Sequence, residues 1–166
     1  MSPPAARGSR TGWGIDAHPL NERPPLKLAG VVVSEVVGVE ATSDGDVLAH
    51  AVVDAILGAC VLGDIGDHFP SDQTDMAGAD SMEMLRAVAL LAANAGWQVN
   101  HLDATVVTEK ARVAPHRGAI RESLASGIGI DSDLVSVKAT GTDGLGFVGR
   151  GEGILATAVV TVAPRS

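Results

Sequence analysis

Residues 154–163 read Ile-Leu-Ala-Thr-Ala-Val-Val-Thr-Val-Ala, and residues 104–107 read Ala-Thr-Val-Val. Read as strands, neither alternates cleanly between apolar and polar residues, so each offers apolar side chains to two faces. A sheet made of such strands cannot leave either side in water. Working outward, helices are predicted over Asp46–Leu62, Ser81–Ala95 and Ala114–Ser126, and further strands over Arg10–Ile15, Leu26–Val33, Glu35–Val39, His101–Thr108 and Leu134–Ala139. The first helix takes Ser43 or Asp44 as its N-cap and turns Val47, Ile56, Leu57 and Val61 toward a core, while Asp80 caps the second and Gly96 stops it. Three helices suffice for one side of the sheet, which predicts a second subunit on the other. The alternative is a monomer with helices on both faces.

Composition narrows the class. A chain of 166 residues is one domain by size, with 20 acidic against 12 basic residues and a net charge of -8. That charge lacks the electrostatic footprint of a nucleic-acid binder, so no nucleic-acid partner is expected. No apolar run is long enough to span a bilayer, and Met1–Arg10 lacks the hydrophobic centre of a signal peptide, so no membrane partner and a cytoplasmic location are expected. The single cysteine, Cys60, lies in an apolar helical stretch and reads as a small buried hydrophobe. Residues 1–9, rich in Pro, Gly, Ser and Ala, read as a disordered tail before a domain over 10–166.

The chemistry concentrates at Asp16 and His18, within Gly14-Ile15-Asp16-Ala17-His18, and at His50, which ends Ser43-Asp44-Gly45-Asp46-Val47-Leu48-Ala49-His50. Two residues apart on an extended segment, Asp16 and His18 leave the same face, and His50 falls one turn into the first helix. One carboxylate and two imidazoles suit zinc with a position left open for water or a substrate oxygen, the arrangement of a catalytic site. The bland alternative is a set of isolated surface or core histidines. Asp46, His50 and Asp54 recur along one helical stripe, a polar line natural to a helix that borders a site.

Three further clusters carry chemical content. Gly63-Asp64-Ile65-Gly66-Asp67-His68-Phe69-Pro70 is either a helix-terminating turn or a close backbone approach to a ligand, with Asp64 accepting from sugar-like hydroxyls. Lys138-Ala139-Thr140-Gly141-Thr142-Asp143 ends a strand in hydroxyls, amides and a carboxylate, which can cradle phosphates and offer Asp143 to magnesium. Gly149-Arg150-Gly151-Glu152-Gly153 sets an arginine fork among glycines, for a phosphate or as a plain turn.

In order and spacing these motifs resemble the 2-C-methyl-D-erythritol 2,4-cyclodiphosphate synthase family over about Arg10–Ala163. The resemblance implies a small α/β domain of α+β type, a mixed sheet with helices on one face and the other face packed in a homotrimer. It implies zinc or another divalent cation at Asp16, His18 and His50, and magnesium or manganese held by Asp143 and bridging the substrate phosphates. Substrate contacts would come from Asp16, Ala17, His18, Thr42 and Ser43 at the phosphates, Asp64, Ile65 and Gly66 at the methylerythritol, and Phe69, Pro70, Ser71, Asp72 and Gln73 along the neighbouring wall. A cytidine pocket completed by a second subunit would use Thr108, Glu109, Lys110, Ala111, Arg112, Val113 and Ala114 with Ala139, Thr140 and Gly141, and Thr142, Phe147 and Arg150 would complete the site. The implied reaction is a phosphorus–oxygen lyase step that expels CMP from a cytidylylated small-molecule substrate, in non-mevalonate isoprenoid biosynthesis.

Two positions depart from the pattern. Thr42 stands where the family commonly has histidine, and Gly141 where it has the middle of three threonines, both positions associated with transition-state stabilisation. These departures keep a non-catalytic metal- and cytidine-binding relative as the alternative. A zinc hydrolase with Asp46 as base is a second.

Overall fold

The computed structural model describes residues 8–70 and 78–165. In chain order the elements are β1 (Arg10–Asn21), β2 (Leu26–Leu28), β3 (Val31–Ser34), β4 (Gly38–Val39), α1 (Val47–Cys60), α2 (Ile65–His68), α3 (Ser81–Asn94), β5 (Trp97–Val107), α4 (Arg117–Ile128), β6 (Val135–Thr140), α5 (Gly146–Gly149) and β7 (Gly153–Pro164). The main sheet runs β4-β1-β7-β5-β6 and is mixed: β5 pairs with β6 in parallel and with β7 antiparallel, and β1 pairs antiparallel with both β7 and β4.

The inward side chains of the sheet, Leu102, Ala104, Val106, Ile154, Ala156, Ala158, Val160 and Val162, are fully buried beneath the helices. On the opposite face Trp13 is 60% exposed, Ile15 45% and Val159 40%, so among the described residues the helices form one layer. The alternative with helices on both faces is therefore excluded for this part of the chain. The outer face is also less apolar than the strand sequences suggested, because Asp103, Thr105 and Thr157 are only half-buried there beside the aliphatic residues.

The closeness of α1 to the sheet has a specific cause. A Cβ on Gly12 would lie 2.0 Å from the carbonyl oxygen of Ala55, and one on Gly14 2.0 Å from that of Ala51. Two side-chain-free positions on β1 facing the alanines of α1 allow backbone against backbone, which a larger residue on either side would prevent. This brings His50 within reach of Asp16 and His18.

Some predicted bounds shift for identifiable reasons. The first strand does not end at Ile15 but runs to Asn21, sustained by pairing with β7 as far as Pro19 and Gly153. Segments 26–33 and 35–39 are not two arms of one hairpin. Ala29 (φ 51°) and Gly30 (φ 74°) turn the chain between β2 and β3, and Gly38 and Val39 join the edge of the main sheet instead. Asp46, rather than Ser43 or Asp44, caps α1, accepting from the Ala49 amide at 3.0 Å. Val61 is not a core residue: it terminates α1 in the left-handed region (φ 59°) and is 77% exposed. The helix predicted from Ala114 starts as a 3-10 turn over Ala114–His116 before α4. Asp80 caps α3 through Met82, and Cys60 is buried at the end of α1. The expected tail falls mainly on residues 1–7, outside the described residues, as do Ser71, Asp72 and Gln73.

Candidate metal centre

Asp16 and His18 project from one face of β1, and His50 reaches them from the first turn of α1. Asp16 Oδ2 lies 3.0 Å from His18 Nε2 and 2.9 Å from His50 Nδ1, and the two ring nitrogens are 3.3 Å apart. The three candidate ligand atoms lie within 4.8 Å of one another. Burial alone would raise the Asp16 carboxyl, but hydrogen bonds and charge from His18 and His50 outweigh it and hold the group well below the usual carboxylate range. An ionised carboxylate and two imidazoles converging on one point fit a divalent cation, and any ion bound there supplies Lewis acidity toward phosphate oxygens.

A cavity of about 260 Å³ opens beside this cluster, lined by His18, Ala41, Thr42, Ser43, His50, Ile65, Gly66, Phe69 and Met84. Seven of the residues singled out around the metal motifs, His18, Thr42, Ser43, His50, Ile65, Gly66 and Phe69, thus meet around one cavity. Asp64 caps α2, accepting from the Asp67 amide at 3.1 Å, while Asp67 accepts from the Asp64 amide at 3.3 Å. The turn reading of 63–70 therefore holds locally, and that turn delivers Ile65 and Gly66 to the cavity. Ala17, His18 and Phe147 border a second opening with Pro19, Glu152 and Gly153.

The remaining candidates gather at the far ends of β5 and β6. The Thr108 amide donates to the Thr140 carbonyl at 3.0 Å, and the Thr142 amide to Glu109 Oε1 at 2.8 Å. A Cβ at Gly141 would lie 2.7 Å from that same Glu109 oxygen, so the carboxylate occupies space that a threonine side chain there would need. Lys110 packs over Gly151, its Cε 2.2 Å from where a Cβ would stand. Val113 is buried, while Lys110, Arg112, Ala114, Ala139 and Asp143 are exposed and Ala111 is partly so. Asp143 sits at φ 52° in the turn before α5, a conformation that aspartate tolerates better than most residues. Arg150 does not present a bare fork, because its Nε and Nη2 donate to Glu152 at 2.8 and 3.0 Å.

The polar stripe of α1 divides its work. Asp46 is fully buried and accepts from the amides of Gly30 and Ala49, binding the β2–β3 turn to the helix. Burial pushes its carboxyl up, and both of its oxygens accept from backbone amides, so its contacts are structural and none of them is to the His50 ring. Asp54 accepts from the Ile65 amide at 2.8 Å and so positions α2. Sequence reasoning missed Met84 on the cavity wall and Ser81 at the back of His50, with Ser81 Oγ 2.8 Å from His50 Nε2. A serine after a helix cap carries no signal of its own; only the folding of α3 against the chain before α1 shows it.

One mixed sheet, one helical layer and an Asp-His-His cluster beside a cavity define an α/β domain with a candidate divalent-metal centre. The YgbB family model matches residues 9–163, and the chain belongs to that family. Among its relatives, the 2-C-methyl-D-erythritol 2,4-cyclodiphosphate synthase of Chromohalobacter salexigens is 48% identical over 155 residues, 93% of this chain and 96% of the relative. The bifunctional enzyme IspD/IspF of Novosphingobium aromaticivorans is 49% identical over 92% of this chain, which spans only 40% of that longer protein. Among solved structures, the IspF CDP complex of Plasmodium falciparum superposes with a TM-score of 0.84 at 30% identity, covering 96% of this chain and 98% of that one. The bifunctional IspDF of Campylobacter jejuni gives 0.91 at 37% identity, covering 94% and 42%.

Proposed function

We propose that this chain converts 4-diphosphocytidyl-2-C-methyl-D-erythritol 2-phosphate into 2-C-methyl-D-erythritol 2,4-cyclodiphosphate and CMP. The observation that carries the reading is the convergence of Asp16, His18 and His50 beside a cavity walled by Thr42, Ser43, Ile65, Gly66 and Phe69, in a chain of the YgbB family. An oxygen of the substrate's 2-phosphate forms a bond to the β-phosphorus. The bond from that phosphorus to the oxygen bridging to the α-phosphate breaks, and CMP leaves with the electron pair. Atoms and charge balance without a protein nucleophile, so the protein's part is positioning and charge stabilisation.

Asp16, His18 and His50 would hold zinc or a similar divalent ion, and Asp143 would hold magnesium or manganese near the diphosphate. Ser43 meets the phosphates, while Asp64, Ile65 and Gly66 receive the methylerythritol. Thr108–Ala114, with Ala139, Thr140 and Gly141, forms the cytidine pocket. Thr42 and the Gly141 amide donate to charge developing on the transferred phosphoryl group. Thr142, Phe147 and Arg150 close the site, with Phe69 and Pro70 along the substrate wall.

In this reading the cytidine pocket is completed by a second subunit, and the complete site forms between subunits of a homotrimer. The exposed Trp13, Ile15 and Val159 of the outer sheet face pack at its centre. The catalytic domain comprises residues 10–166 and works in the cytoplasm. No helix of the described residues is long and apolar enough to cross a membrane. Incubation of the protein with the cytidylylated substrate and Mg2+, followed by phosphorus NMR, tests the activity. Cyclic diphosphate and CMP are expected; acyclic diphosphate, free phosphate or unchanged substrate would refute it.

A further inference from the structure

His50 shows one ring nitrogen to the metal centre and the other to the protein. Its Nδ1 lies 2.9 Å from Asp16 Oδ2 and 3.3 Å from His18 Nε2, while its Nε2 lies 2.8 Å from Ser81 Oγ. Ser81 is fully buried in the first turn of α3, and its hydroxyl donates a short hydrogen bond to Asp44 Oδ1. Asp44 is held in turn: its amide donates to the Ala79 carbonyl at 3.0 Å, and the Asp46 amide donates to its Oδ1 at 3.3 Å. Ser43 Oγ stands farther from Nε2, at 3.3 Å, and accepts from the Gly45 amide.

A serine hydroxyl has one proton. Once that proton is committed to a carboxylate, the oxygen can only accept at its other contact, so Nε2 of His50 must carry a hydrogen. A neutral imidazole has only one N–H, and Nδ1 is then left with a lone pair aimed between Asp16 and His18.

We propose that Ser81 is a positioning residue of the metal centre: with Asp44 behind it, it selects the Nε2–H tautomer of His50 and locks the ring so that Nδ1 faces the ion. The proposal rests on the reading of Asp16, His18 and His50 as a divalent-metal centre. It assigns a role in the site to two residues that never touch the ion, one at the start of α3 and one in the segment before α1. Ser81→Ala removes the acceptor and leaves Nε2 facing the more distant Ser43, so the ring can turn and either nitrogen can carry the proton.

The test is the dissociation constant for zinc of the metal-stripped protein, by competition with a chromophoric chelator, for the parent, Ser81→Ala, Asp44→Ala and the double variant. Each single substitution is expected to weaken zinc binding roughly 10- to 100-fold. The double variant is expected to lose no more than the weaker-binding single, because the two residues act in one chain. Thermal unfolding of the metal-free proteins should move little, which separates positioning from a structural role. In the zinc-loaded parent labelled with 15N-histidine, NMR should show His50 metallated through Nδ1 and protonated at Nε2, a measurement that needs no variant to fold. Parental zinc affinity in Ser81→Ala, fully multiplicative losses in the double variant, or metallation through Nε2 would each overturn the proposal. A parent that binds no zinc or other divalent ion would bring down the metal reading itself.

Discussion

At the scale of single residues, Thr42 and Gly141 lie in unlike surroundings. Thr42 is exposed at the mouth of the cavity beside His50, where a larger side chain has room. Thr42→His is expected to raise kcat with little change in KM, because a cationic donor there acts on charge that appears only as phosphoryl transfer proceeds. Gly141 is crowded by Glu109, whose carboxylate holds the Thr142 amide. Gly141→Thr must drive Glu109 off that amide, so it should lower kcat/KM in spite of the hydroxyl it adds. Steady-state kinetics of the two variants checks both signs, and a kcat gain at position 141 would show that Glu109 moves aside without loss.

Among the elements, α1 ends with strain. Val61 is a β-branched residue in the left-handed region at the helix C-terminus, a conformation that costs roughly 1–2 kcal/mol for a residue with a Cβ. It is 77% exposed, so little packing offsets the strain. Val61→Gly should therefore stabilise the protein by about 0.5–1 kcal/mol after the extra freedom of glycine in the unfolded chain is counted. Urea denaturation measures it, and a loss of stability would contradict the strain argument.

The paired strands β5 and β6 carry a pH-dependent contribution. Burial would raise Asp103, but the hydrogen bond from Lys138 Nζ at 2.6 Å and its charge outweigh it and hold the carboxyl below its ordinary 3.8. A lowered folded-state value adds stability that is fully present above 3.8 and disappears as pH falls below it. Both side chains are more than a third exposed, which limits the effect to under about 1 kcal/mol. The stability difference between parent and Asp103→Asn should be steady from pH 7 to 5 and shrink toward pH 3; a difference that grows on acidification would refute the pairing.

For the whole molecule, the decisive feature is the uncovered face of the sheet. Trp13 pairs across β1 and β7 with Val159, and Ile15 lies two residues along on the same side. A surface of this kind on a domain whose described helices form a layer on the other face calls for a partner. Sedimentation at micromolar concentration should give a trimer, and Trp13→Glu should dissociate it and abolish turnover together. A fully active monomer would overturn both the packing argument and the shared site.

The candidate metal ligands were legible in the sequence because each lies in a local pattern: Asp16 and His18 by the two-residue period of a strand, His50 by its place in a capped helix. The helices α1 and α3 were legible for the same reason, since apolar periodicity and capping act over a few residues. What the side chains of α1's polar stripe do was not legible. Asp46, read as a residue of the site, joins the β2–β3 turn through Gly30, and Ser81, read as nothing, reaches His50. Both contacts link segments distant in the chain, and local pattern says nothing about which segments meet. The sequence by itself determined the family and the candidate ligand set, whereas the one-sided layer of helices was decided by the fold. Only the tertiary structure decided which groups stand behind the ligands, because that depends on how closely α1 settles onto Gly12 and Gly14 and on where α3 begins above it.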